Sequence, residues 1–172
     1  MKTVVVGEPP VEITAFLARR RALGQDRSDE MWEGEYHVVP AAHPWHGYVD
    51  KALGRLLDPL ADAVGLIATG TFNLGSSVDY RVPDAGYHRT MPSEVWVPTA
   101  AIVVEIISPD DETWAKFEFF ARQQVDEVCI ADPLPRKVRW FVLAGGSYEE
   151  TGASALLSVT AADLEAGIDW PQ

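Results

Sequence analysis

The run Ala101–Ile107 reads A-I-V-V-E-I-I and is apolar and mostly β-branched on both parities, with one acid inside it. Such a run suits a central strand covered on both faces. An unpaired carboxylate there costs several kcal/mol. Glu105 therefore requires a metal ion, a cation or a proton. Asp84 raises the same question, because it follows Pro83 within the strand-like stretch Val78–His88. A proline at that point implies a bend or an edge rather than an interior ladder position.

Asp84 and Glu105 are 21 residues apart, room for one strand, a loop and a neighbouring strand. Two carboxylates meeting on adjacent strands make a hard-oxygen site, suited to Mg²⁺ or Mn²⁺ rather than zinc. Lys116, on the helix that follows, would complete a site able to hold a phosphate and a water. The plainer alternative is that Asp84 caps a turn and Glu105 pairs with a lysine or arginine in the sheet.

Around this centre the pattern predicts a helix over Val11–Leu23, with arginines in its last turns and Gly24 as its cap. A polar loop, Gln25–Glu30, precedes one strand over Met31–Val39. From His46, apolar residues recur at helical spacing through Leu60. Strands are expected over Gly65–Leu74 and Val78–His88, then the central Ala101–Ile107. Ser108-Pro109-Asp110-Asp111 signals a helix start. A hairpin of Val125–Ala131 with Val138–Leu143, short strands near Tyr148 and at Ala155–Val159, and a last helix capped by Thr160 with Asp163 complete the order. No repeat or linker divides residues 1–172, so one domain of mixed α/β (α+β) class is expected, with helices around a central mixed sheet.

Net charge is −12, from 14 basic and 26 acidic residues, which argues against tight non-specific nucleic-acid binding but permits a local basic face. Arg19-Arg20-Arg21 and Arg136-Lys137-Arg139 are the basic clusters, read first as solvated surface. The single cysteine, Cys129, excludes an internal disulfide and reads as a buried small hydrophobe in a reducing compartment. No stretch reaches the ~20 apolar residues of a membrane span, and Met1–Gly7 is too short for a signal peptide, so the expected location is cytoplasmic. His43 and His46 straddle a helix start, but no third ligand stands at zinc spacing. Nucleotide-loop and serine-hydrolase motifs are absent, and the six tryptophans form no stacking platform.

Pro83-Asp84, Glu105 in its strand before Ser108-Pro109, and Lys116 in a helix resemble the PD-(D/E)XK nuclease superfamily. More closely, the chain is similar to a bacterial restriction-endonuclease-like family (Uma-two-like), long known as a domain of unknown function. The stretches R-R-R-A-L-G-Q-D-R, W-E-G-E-Y-H-V-V-P and H-P-W-H-G-Y-V carry the resemblance in the N-terminal half; I-V-V-E-I-I-S-P, W-A-K-F-E-F-F-A and D-E-V-C-I-A-D-P carry it in the core.

The resemblance implies a restriction-endonuclease-like fold and Mg²⁺- or Mn²⁺-dependent hydrolysis of nucleic-acid phosphodiester bonds, with DNA as the partner. Asp84 and Glu105 would bind the metal with the backbone carbonyl of Ile106, Lys116 would act in catalysis, and Glu35 and His46 would be accessory. The superfamily lysine usually stands two residues after the second acid; here that residue is Ile107, and Lys116 matches the lysine of this family. A homodimer is expected, since duplex-cutting nucleases usually need two sites. A catalytically weak relic serving as an interaction or assembly module is the alternative.

Overall fold

The computed structural model describes residues 10–108 and 112–171, together with the backbone of Thr3–Val5. Two six-stranded sheets organise these residues, where the hydropathy pattern had suggested one. The first contains β1 (Thr3–Val5), β2 (Glu30–Trp32), β3 (Glu35–Val38), β5 (Asn73–Ser76), β6 (Asp79–Arg81) and β8 (Trp96–Val97), in the order β1-β3-β2-β6-β5-β8. The second contains β4 (Ile67–Thr69), β7 (Ala85–His88), β9 (Ile102–Ile106), β10 (Glu127–Asp132), β11 (Lys137–Ala144) and β12 (Ser147–Glu150), in the order β12-β11-β10-β9-β7-β4. The class is mixed α/β, as expected.

Two runs that read as single strands cross between the sheets. Gly65–Leu74 splits into β4 and β5, and Val78–His88 splits into β6 and β7. The bend expected at Pro83 is the second crossing, and it leaves Asp84 between the two sheets. Met31–Val39 also divides, into the hairpin β2–β3. Glu33 and Gly34 both take positive φ, 50° and 94°, the geometry of a two-residue hairpin turn.

β9 is buried at all five positions and lies parallel to β10 and antiparallel to β7. Alternation splits its side chains. Ile102, Val104 and Ile106 join the core under α2 (Pro44–Ala63) and α4 (Ala161–Gly167). Val103 joins Phe119, Phe120, Val128 and Ile130 on the opposite face, under α3 (Phe117–Arg122). By that parity Glu105 faces α3. A 3₁₀ turn, Thr113–Lys116, leads directly into α3, while the Pro109–Asp111 part of the predicted helix start lies outside the described residues.

α1 (Val11–Ala22) closes with the expected glycine cap: Gly24 has φ +63°, its N–H donates to Arg21, and Gln25 N–H reaches back to Arg20. Yet α1 buries none of its residues. The last helix has its Thr160–Asp163 capping box. Ala155–Val159 forms no strand; its backbone N–H groups at Ala155 and Leu156 instead donate to the buried Glu127 carboxylate. Cys129 is buried, and burial pushes its thiol well above the usual range. Among the described residues no helix is long and apolar enough to cross a membrane.

Candidate active site

The register of β7 on β9 pairs Ala85 with Val104. One further step sets Asp84 opposite Glu105, and directly opposed residues on antiparallel strands share a face. Both acids line a single cavity of about 940 Å³. Asp84 keeps the ladder going, its N–H donating to Val104 O at 3.1 Å. Its Oδ2 accepts the Ile106 N–H at 2.7 Å and meets His46 Nε2 at 3.0 Å. His46 arrives there because His43 caps α2 and Pro44 occupies the helix's first turn, which aims that turn at the cavity.

Glu105 is 3% exposed. Both its oxygens contact Lys116 Nζ, at 2.9 and 3.2 Å. Lys116, itself buried, also pairs with Glu30 Oε1 at 2.9 Å. One ammonium is thus shared by an acid from each sheet. Glu30 is held in turn by the Val82 N–H at 2.9 Å and by Trp32 Nε1 at 2.7 Å. Burial, opposed by Lys116 and reinforced by Asp84 and Glu30, raises the Glu105 carboxyl above the usual carboxylate range. Burial alone would discharge Lys116, but Glu105 and Glu30 outweigh it and hold the ammonium above the usual lysine range. Asp50, one turn after His46, also lines the cavity, and burial followed by Asp84 raises its carboxyl.

The structure therefore brings together Asp84, Glu105, Ile106, Lys116 and His46. It does not bring in Glu35, which is exposed and lines a separate hollow with Trp32, Arg81 and Arg122. The acid at that place is Glu30, five residues earlier, together with Asp50. Glu30 fell in a predicted loop because the Glu33–Gly34 turn was not read as a hairpin. The Glu33-Gly34 pair between Trp32 and Glu35 was the available signal. As the side chains stand, no three of His, Cys, Asp or Glu converge as an ion cage among the described residues.

Arg20, which also lines the cavity, is fixed rather than solvated. Its guanidinium grips both oxygens of buried Asp29, at 3.0 and 2.8 Å, and donates to Gln25 O at 2.6 Å. Asp29 also accepts from the Tyr36 hydroxyl and the Val39 N–H.

Among solved structures, a nuclease-like protein from Anabaena variabilis ATCC 29413, described as "a putative nuclease belonging to DUF820", superposes with a TM-score of 0.67. The two share 13% identity, over 81% of this chain and 90% of that one, a likeness of fold. The type IIG restriction endonuclease BpuSI gives a TM-score of 0.43 at 10% identity, over 76% of this chain and 17% of its own, and carries no weight here. No curated protein matches the sequence. The profile of the Uma2 family, described as "Putative restriction endonuclease", matches residues 15–170, nearly the whole chain. With that match over a restriction-endonuclease-like core, the chain belongs to the Uma2 family.

Proposed function

We propose that this protein is a divalent-metal-dependent endonuclease that hydrolyses phosphodiester bonds in DNA. The observation that carries the reading is the meeting of Asp84 and Glu105, from neighbouring strands, beside the Lys116 ammonium in one open cavity. The donors fit a hard divalent ion: carboxylate oxygens and a backbone edge at Ile106, with Glu30, Asp50, Asp84 and Glu105 against one lysine. Mg²⁺ is commonly bound by only one or two carboxylates, with waters and substrate phosphate completing its shell. Asp84, Glu105 and the Ile106 carbonyl would hold such an ion, which would supply Lewis-acid activation of the phosphate and of the attacking water.

The chain's own groups would do the rest. The Ile106 N–H and His46 fix the orientation of Asp84. His46, facing the cavity, can donate to a phosphate oxygen or take a proton from water. Lys116 would offset charge gathering on the phosphate in the transition state, and Glu30 holds that ammonium in place. Glu30 thus acts as a positioning residue. Cutting both strands of a duplex would need two such sites, which a homodimer supplies.

A second reading, a nuclease fold kept as an interaction module, is favoured by one feature: Lys116 is fully engaged by two buried glutamates. Incubation with plasmid, single-stranded DNA and RNA, in Mn²⁺ against EDTA, separates the two. Cleavage that needs Mn²⁺ and is lost in Glu105→Gln supports the nuclease; no cleavage of any substrate supports the module.

A further inference from the structure

Glu30 and Trp32 stand two residues apart on β2, so their side chains share one face of the first sheet. His37 on β3 is paired opposite Glu30, and the pairing of Met31 with Tyr80 sets Arg81 on β6 opposite Glu30 from the other side. β2 lies between those two strands. Trp32 is therefore flanked. The His37 ring stacks on it at 4.4 Å, with 14° between the planes, and the Arg81 guanidinium carbon lies 4.3 Å from its ring centre. Arg81 is fastened through Nη1, which donates to Met31 O, Asp79 Oδ1 and Tyr80 O.

Both flanking residues reach beyond the sheet to the segment that carries Lys116. His37 Nδ1 meets Glu112 Oε2 at 3.3 Å, ahead of the lysine in the chain. The Arg81 guanidinium carbon is also 4.1 Å from the centre of the Phe119 ring, one helical turn beyond the lysine. Between these two ties, Trp32 Nε1 donates to Glu30 Oε2 at 2.7 Å, and Glu30 Oε1 meets the Lys116 ammonium at 2.9 Å. The arrangement leaves buried groups unsatisfied. His37 Nε2 and Arg81 Nε are the buried side-chain polar atoms without a hydrogen-bond partner among the described residues, and both belong to this column. Local rules broken beside a site are expected where function fixes the geometry.

We infer that Trp32 is a positioning residue of the candidate site: clamped by His37 and Arg81, its indole N–H fixes Glu30, which keeps the Lys116 ammonium at Glu105. The inference rests on the nuclease reading for the task of Lys116 and adds the device that aims it. A cation stabilises developing charge best when its position is fixed beforehand. Phenylalanine at position 32 keeps an aromatic ring in the stack and deletes the N–H. Glu30 then loses the donor on Oε2 and keeps the Val82 N–H and the lysine on Oε1.

Two readouts of Trp32→Phe test the clamp. In nuclear magnetic resonance, the ¹⁵N–¹H signal of a buried, ion-paired ammonium survives exchange with water, and the Lys116 signal is the one missing from Lys116→Met. In Trp32→Phe that exchange should quicken about tenfold. In Mn²⁺-dependent cleavage of a labelled DNA oligonucleotide, kcat should fall about tenfold with KM unchanged. Trp96→Phe, which removes an indole from the same sheet away from the cavity, should move neither. Circular dichroism melts show whether each variant is folded. Should Trp32→Phe fail to fold, His37→Phe, which keeps a ring against Trp32 and drops the Glu112 contact, takes its place with the same expectations. Unchanged Lys116 exchange, an equal change in Trp96→Phe, or a raised KM with kcat intact overturns the clamp and leaves the nuclease reading standing. Quickened exchange in the variant, where the wild type cleaves no DNA in Mn²⁺, supports the clamp and removes the nuclease reading.

Discussion

Replacing Lys116 by methionine keeps the length of the side chain and removes the charge that joins the two sheets. In the wild type its ammonium lies 2.9 Å from Glu30 Oε1 and 2.9 Å from Glu105 Oε1, almost out of contact with water. Without it, Glu105 can take up a proton, since burial and its acidic neighbours Asp84 and Glu30 already raise its carboxyl. Glu30 would carry most of the loss. It retains the Val82 and Trp32 N–H donors but no cation. Breaking a buried pair in this way costs about 3–5 kcal/mol, and the protonation open to Glu105 places Lys116→Met near the lower end, about 3 kcal/mol. For a domain of this size that lowers Tm by about 6–12 °C. Urea unfolding followed by tryptophan fluorescence measures the loss, and adding Glu30→Gln should recover part of it, because the uncompensated charge is then gone. A loss below about 1 kcal/mol, or a double variant less stable by the full sum of the two single changes, would refute the shared-ammonium arrangement.

Other consequences follow from neighbouring contacts. Asp29→Ala strips Arg20, Tyr36 and the Val39 N–H of their common acceptor, and should cost about 2–3 kcal/mol in urea unfolding while speeding tryptic cleavage at Arg19–Arg21. Gly86→Ala would drive a methyl group into the Phe72 ring beside β7, and a melt should register about 1–3 kcal/mol of overpacking. Glu35→Ala, on an exposed strand position outside the cavity, should change stability by less than about 0.5 kcal/mol and leave the Mn²⁺-dependent cleavage rate unchanged.

How far the site could be read in advance depended on which signals are local. Glu105 was legible because a single acid inside A-I-V-V-E-I-I, a strand buried at every position, must find a partner. Asp84 followed from the proline before it, which marks a place where the chain leaves one sheet for the other. Hydropathy could not distinguish a strand that continues from one that crosses, so Gly65–Leu74 was read as one element although its halves lie in different sheets. Glu30 was hidden for a related reason: its burial depends on pairing across a two-residue turn and on a lysine 86 positions later. α1 had helical spacing and a sound cap, but spacing does not reveal how far the face is covered, and here Ile13 and Leu17 are only half-buried. The arginine cluster read as solvated surface is partly that, since only its middle member is held, by Asp29.

The central claim is that Asp84 and Glu105 serve one divalent ion, and calorimetric titration of Mn²⁺ into wild type, Asp84→Asn and Glu105→Gln addresses it without requiring turnover. Wild type should take up the ion, and each single variant should lose that binding while remaining folded. Binding of equal strength in all three proteins would contradict the claim.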